Sequence, residues 1–282
     1  MQNRVNRNYR IGNVVIGYEG PYFEEKEYLS NFRESVEQCD IRYQMISKKN
    51  IECPDIPCVN KGAYIDVYRE GKQNIRVIYA QDREQIIMKD ICADGVNHLV
   101  EYEESWVKNW GSSLMLKLFD LPYQMISREA VFLHASVVNW KGKGILFTAP
   151  KQTGKSTQAR LWEMHRCAQV VNGDRALIRR QDNTWFVYGS PYCGTSKICE
   201  NKSCPLGAIV ILSQAKENKV RKARTIESMS ALLDGFTFHT WSKEEVCMVT
   251  DIAGDLIQQV PVYKLECTPD EGAVQVLEEV LW

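Results

Sequence analysis

Residues 144–157 read GILFTAPKQTGKST, and the fold turns on this stretch. A short apolar run, Gly144 to Thr148, leads into APKQTGKST, which matches the phosphate-binding pattern GxxxxGK[ST] with one substitution. Ala149 stands at the first glycine, while Gly154, Lys155 and Ser156 stand where the pattern requires. From average residue usage, so relaxed a pattern arises by chance about once in fifty chains of this length. Local context therefore has to carry the assignment. It does so: an apolar strand precedes the loop, and STQARLWEMHR after it reads as a helix. Ala149 is harmless if its backbone is ordinary and strained if φ must be positive there.

The physics of such a loop is simple. Backbone N–H groups of a turn at a helix N-terminus point inward, and the helix dipole adds to their preference for negative charge. Ala149, Pro150, Lys151, Gln152, Thr153, Gly154, Lys155, Ser156 and Thr157 are therefore the expected nucleotide-binding residues. Lys155 is expected to reach the β- and γ-phosphates of ATP, Ser156 to place its hydroxyl on Mg²⁺, and Thr157 to lie in the first helical turn. A metal-holding acid is expected at the end of a nearby strand. Asp174 in AQVVNGDRALI meets that requirement, so Ser156 and Asp174 form the expected metal pair.

Upstream, VFLHASVV and the loop's own strand flank NWKGKG as a hairpin. A turn centred near Lys141 places His134 opposite Thr148, at the entrance to the loop. An imidazole there could orient or deprotonate an attacking hydroxyl, which makes His134, Lys155 and Asp174 the candidate catalytic set.

Farther out, strands and helices alternate over 113–282, which argues α/β with a mixed sheet. SSLMLKLFDLPYQMISRE reads as helical with an interruption at Pro122, and ALIRR with TWFVYG as a hairpin. Helices are expected around Ile226 to Leu233, from Glu244 to Gln259 and from Glu271, with the strand VPVYKLEC between the last two. Lys216 to Arg224, KENKVRKAR, reads as a solvated loop or helix start. Residues 1–112 read as a separate β-rich region containing YRIGNVVIGYEG, AYIDVYREGKQNIRVIYAQ and HLVEY. No charged cluster with evident chemistry stands out in that region, and ISKKNIECPDIPCVNKG reads as a loop.

Composition sets the outer limits. The chain has 282 residues, a formal charge of −1 and 44% hydrophobic residues, which fits a globular protein of one or two domains. Near neutrality gives no field toward nucleic acid or membrane. No apolar stretch approaches the roughly 18 residues of a membrane span, and the first ten residues lack the apolar core of a secretory signal. A cytoplasmic location is expected. The ten cysteines then read as reduced thiols, because neither Cys53 with Cys58 nor Cys193, Cys199 and Cys204 reproduces the spacing of a zinc site.

Together, LHASVVNWKGKGILFTAPKQTGKST, NGDRALI, YGSPYCGTSK with ENKSCPLGAIVIL, and VPVYKLECTPD resemble the HPr kinase-like branch of the phosphoenolpyruvate carboxykinase-type P-loop proteins, over roughly residues 115–282. The resemblance implies a kinase-type core that uses Mg-ATP to phosphorylate a hydroxyl, often serine, of a peptide, protein or small molecule. It also implies an active-site role for His134 and an acidic pair near Gly173 and Asp174, of which this chain keeps one member. The Arg-Asn signature of true HPr kinases is absent, so HPr is not the expected acceptor. Ser190, Tyr192, Thr195 and Lys197 are the acceptor-site candidates, and Arg175 a candidate for neutralising phosphate. Two other readings stand beside this one: a non-catalytic nucleotide-binding regulator or scaffold, and a decarboxylating chemistry for which no carboxylate-ligand set is visible. A homo-oligomer is compatible with the sequence.

Overall fold

The computed structural model describes residues 4–282, so Met1 to Asn3 of the N-terminal reading lie outside the described residues. The chain divides between Leu121 and Pro122 into two compact units. No helix among the described residues is long and apolar enough to cross a membrane, and all ten cysteines are free thiols.

The first unit is built on one nine-stranded mixed sheet. Its elements are β1 (Arg4–Ile11), β2 (Val14–Pro21), α1 (Glu27–Ser30), β3 (Arg33–Glu34), β4 (Ile41–Ser47), β5 (Cys58–Lys61), β6 (Ile65–Glu70), β7 (Gln73–Tyr79), β8 (Ile86–Cys92), β9 (Asn97–Tyr102) and α2 (Ser112–Phe119). The strand order is β3-β1-β2-β4-β9-β8-β7-β6-β5, with β4 parallel to both β2 and β9 and the remaining pairs antiparallel. Tyr9, Tyr18, Tyr43, Phe32 and Phe119 fill its core. β5 corrects the loop reading of 46–62: alternation over Cys58–Lys61 lets that segment pair with β6 at the sheet edge.

This unit contains a buried charged cluster assembled from residues far apart in sequence. Arg76 pairs with Asp90 at 3.1 Å and with Asp120 at 2.6 Å, and His98 Nδ1 lies 2.8 Å from the other Asp90 oxygen. Burial alone would lower the pKa of His98, but hydrogen bonds to Asp90 and Cys92 outweigh it and hold the imidazole up at about 9.

The second unit holds α3 (Leu121–Ile126) beyond its first residue, β10 (Ala130–Trp140), β11 (Lys143–Thr148), α4 (Lys155–Arg166), β12 (Gln169–Asn172), β13 (Arg175–Gln181), β14 (Thr184–Tyr188), β15 (Ser203–Gln214), β16 (Lys219–Lys222), α5 (Thr225–Gly235), β17 (Phe236–Thr237), α6 (Lys243–Gln259), β18 (Val262–Cys267) and α7 (Glu271–Glu278). The helical break precedes Pro122. Asp120 adopts the left-handed conformation at the end of α2 (φ 45°), and Pro122 falls in the first turn of α3, where its missing N–H costs nothing.

Two long strands organise this unit. The first half of β10 pairs with β13 and the second with β11 and β12. β15 pairs with β14 at its start, then runs parallel to β11 and β18. The resulting mixed sheet bears helices on both faces. Trp162 and Ala159 of α4 pack with Val274 and Leu277 of α7 against Phe147, Val210 and Leu265. Leu232 of α5 and Val249, Ala253 and Leu256 of α6 pack against Val137, Leu146 and Ile209. This arrangement agrees with the expected α/β class.

Two local differences from the sequence reading have plain causes. Lys219–Lys222 form the edge strand β16, antiparallel to β18, because cationic residues suit an unpaired sheet edge. In the β10–β11 hairpin, Ala135 faces Thr148, whereas His134 faces Arg175 of β13. The turn is two residues, Lys141 and Gly142, both at positive φ, so its centre falls half a residue beyond Lys141 and the register moves by one.

Candidate functional site

The loop 149–154 leaves the end of β11 and enters α4. Gly154 has φ 115° and ψ 17°, a conformation that favours glycine. Ala149 is absent from the positive-φ residues, so alanine at the first position of the pattern carries no backbone strain. α4 runs twelve residues, and it begins without a side-chain cap and without an acid in its first turn. Its first N–H groups and the positive end of its dipole are thus left for an anion.

Lys155 is buried, and its ammonium donates to the carbonyls of Ala149 (2.9 Å) and Pro150 (3.1 Å). No carboxylate lies within ion-pair distance of it among the described residues. Desolvation lowers its pKa, opposed by Asp174 and aided by Lys151. A buried cation satisfied only by carbonyls, beside an uncapped helix N-terminus, fits a phosphate group. Ser156 and Thr157 are exposed on the same turn.

His134 and Asp174 are brought together. His134 Nδ1 lies 3.0 Å from the Asp174 carbonyl oxygen and 3.4 Å from its carboxylate. A carbonyl only accepts, so Nδ1 carries the proton and Nε2 of the neutral ring is the basic nitrogen. Burial lowers the His134 pKa, followed by the nearby Lys155, while Asp174 opposes both; neutrality is favoured. The Asp174 carbonyl also accepts from the Ala135 N–H at 2.9 Å.

Asn172, fully buried, builds the turn that presents Asp174. Its Oδ1 accepts from the N–H groups of Asp174 (3.0 Å) and Arg175 (2.8 Å), and its Nδ2 donates to the Ser190 carbonyl at 3.0 Å. Ser136 donates to the Gly173 carbonyl at 3.1 Å, which ties the turn to β10. The sequence reading passed over Asn172, although the Asn-Gly-Asp signature of an Asx turn was present.

The segment 190–197 backs this turn. Ser190 is buried, and its hydroxyl is used on the Arg175 carbonyl. Tyr192 meets Phe132 edge-on at 5.3 Å, and the Arg175 guanidinium lies 5.6 Å from the Tyr192 ring centre. Arg175 also stands 3.9 Å from the Asp174 carboxylate. Thr195 and Lys197 are exposed. A Cβ at Gly194 would come within 2.7 Å of Asp174 Cγ, and one at Gly173 within 2.0 Å of Ser196 Oγ. Position 173 therefore has no room for a second acid.

Two cavities flank the loop. One, of about 690 Å³, is lined by His134, Thr148, Ile211, Ala231, Asp234 and Lys264, with loop residues 149–151 at its rim. The other, of about 390 Å³, touches Gly154, Thr157, Gln214 and Thr268. The face that α5 adds to the first cavity was not foreseen. Its spacing, Glu227, Ser230, Ala231 and Asp234, marks one helix face, but nothing in sequence tells what that face covers. No cluster of three or more His, Cys, Asp or Glu suited to a metal occurs among the described residues; a hard cation held by one carboxylate, a hydroxyl and phosphate oxygens does not need one.

The family model described as "SynChlorMet cassette protein ScmC" matches residues 112–281. That stretch is more than half of the chain, which therefore belongs to the ScmC family. Among solved structures, the HPr(Ser) kinase/phosphatase from Coxiella burnetii is similar at 11% identity, over 52% of this chain and 94% of that one, with a TM-score of 0.31. No curated protein matches the chain significantly.

Proposed function

We propose that this member of the ScmC family transfers the γ-phosphoryl group of Mg-ATP to an acceptor hydroxyl, on a phosphoenolpyruvate carboxykinase-like P-loop core. The observation that carries the proposal is Lys155, a buried cation without a carboxylate partner at the start of α4, near enough to His134 for its charge to lower the imidazole pKa. In this reading the loop amides and Lys155 hold the phosphates and stabilise the charge that spreads over the transferring group. Ser156 and Asp174 hold Mg²⁺, which supplies further charge neutralisation. His134 Nε2 takes the proton from the attacking hydroxyl, and the Asp174 carbonyl keeps Nδ1–H in place so that Nε2 is the basic site.

The test is transfer of label from γ-labelled ATP to a panel of hydroxyl compounds and peptides, with Lys155→Ala as the control. Transfer is expected in the parent chain and absent in the variant; full transfer in the variant would reject the assignment.

One observation favours a second reading, a nucleotide-binding regulator without catalysis. At Gly173, near which the family resemblance implies a second acid, Ser196 fills the space such a side chain would need. Tight, Lys155-dependent ATP binding with no transfer to any acceptor would select that reading.

A further inference from the structure

The cleft beside the loop is a trough, and its dimensions bear on the acceptor. Its floor follows Thr148, Ile211 and Lys264, which pair in turn across the sheet, and is continued on β10 by His134, the neighbour of Thr148's partner Ala135. Neighbouring strands lie about 4.8 Å apart, so the row from β10 to β18 is about 14 Å long. Its roof is α5, where Ile226 to Asp234 spans about 12 Å of helix axis.

The two ends are fixed independently. Gly235 closes on the His134 end, since a Cβ there would approach Leu133 and Thr148 Oγ1 (3.3 Å). At the other end Glu227 pairs with Arg221 at 2.7 Å, and Arg221 is the β16 partner of Lys264. Between the ends the surface is small or apolar: Ile211, Ser230, Ala231 and Ile226. Ile226 is 72% exposed, a large apolar side chain on the rim. Charge within the trough is mostly spent locally. Glu227 is held by Arg221 and Arg224, Lys264 lies 3.5 Å from Glu266, and Asp234 accepts from Ser230.

The geometry points to an extended polypeptide segment as the acceptor, with its hydroxyl at the His134 end and an apolar side chain about three residues away, seated between Ile211, Ala231 and Ile226. An extended chain advances about 3.3 Å per residue, so about three residues carry it from β10 to the apolar middle near β15. A free amino acid or similar small hydroxyl compound fills only the reactive end and leaves that middle wet. The inference rests on the phosphotransfer reading for which end is reactive, while the trough itself does not depend on that reading.

The experiment uses the full chain and short labelled peptides with one central serine in a neutral polar background, a leucine being moved stepwise along each. Both peptide binding, in the presence of Mg-ADP, and label transfer from ATP are measured. A leucine two to four residues from the serine, on one side only, is expected to raise affinity about tenfold or more over the leucine-free peptide. Ala231→Trp, which fills the trough, should remove that preference with ADP affinity unchanged. Ile226→Lys, at an exposed position where folding is not at issue, should reduce it. Position-dependent binding without transfer would sustain the trough and overturn the kinase reading. Transfer to free serine as efficient as to any peptide would overturn the trough and leave the kinase reading standing. Affinity independent of leucine position, no peptide binding at all, or a preference untouched by both variants would overturn the trough as well.

Discussion

Replacing Lys155 with Met keeps an unbranched side chain, one heavy atom shorter, and removes its charge, and the structure predicts unequal effects on two observables. In the absence of nucleotide, the variant loses two charge-assisted hydrogen bonds, to the carbonyls of Ala149 and Pro150, each worth about 1.5–3 kcal/mol. It is also relieved of a buried ammonium with no carboxylate beside it, whose desolvation costs several kcal/mol. The two nearly cancel, so stability should stay within about 1 kcal/mol of the parent. The parent should also gain stability as pH rises through the depressed pKa of Lys155, because the unfolded chain then binds more protons than the folded one; the variant should lack that rise. Nucleotide binding behaves differently. A unit charge about 4 Å from phosphate at an effective dielectric constant of about 20 is worth about 4 kcal/mol, roughly a thousandfold in affinity. Thermal unfolding with and without Mg-ADP reads both. Ligand at about one hundred times its dissociation constant should stabilise the parent by about 2.7 kcal/mol and leave the variant almost unmoved. Parent-like ADP stabilisation in the variant, or a loss of several kcal/mol in the ligand-free variant, would refute the reasoning by making Lys155 a structural group.

Other outcomes follow from the same geometry. The acid limb of the transfer rate against pH should have its midpoint below 6.5, since burial and Lys155 lower the His134 pKa, and His134→Asn should abolish that limb and slow transfer by about a hundredfold or more. Asn172→Ala strips acceptors from two N–H groups and a donor from the Ser190 carbonyl; urea unfolding should show a loss of about 2–4 kcal/mol, with a reduced maximal rate in whatever folds. Gly189→Ala should be severely destabilising by the same measurement, because its Cβ would lie 1.8 Å from the Glu200 carbonyl oxygen. In the first unit, the His98 pKa is raised to about 9. The stability it contributes is fully present below pH 6.5 and is lost as pH climbs through about 9. On the order of 3 kcal/mol should disappear over that window, and His98→Gln should flatten the profile.

What could be read from sequence was what local pattern dictates. GILFT followed by a glycine-gated turn, and Ala159 and Trp162 at helical spacing on the buried side of α4, need no distant partner to be recognised. His134 was placed near the loop because a hairpin ties its two strands together at short range, although the register moved by one when the turn proved to be two residues. Long-range pairing was invisible. Arg76, Asp90, His98 and Asp120 are scattered through the chain and meet only once the sheet of the first unit forms. The α5 face that roofs the trough depends on β11, β15 and β18 lying side by side, a pairing set by tertiary packing rather than by propensity. Asp120 in place of Pro122 as the helix breaker shows the same limit: a left-handed aspartate is permitted by its own chemistry but requires its surroundings to select it.

The contact between Gly173 and Ser196 has an evolutionary corollary. Placing an acid at 173 is not one mutational step, because the new side chain would collide with the Ser196 side chain. The route needs a smaller residue at 196 first or a shifted turn, and the intermediate in the opposite order is an unstable protein. Positions 173 and 196 should therefore be epistatic, with Gly173→Asp alone deleterious and the pair with Ser196→Gly tolerated, so this packing restricts what position 173 can become through stability alone.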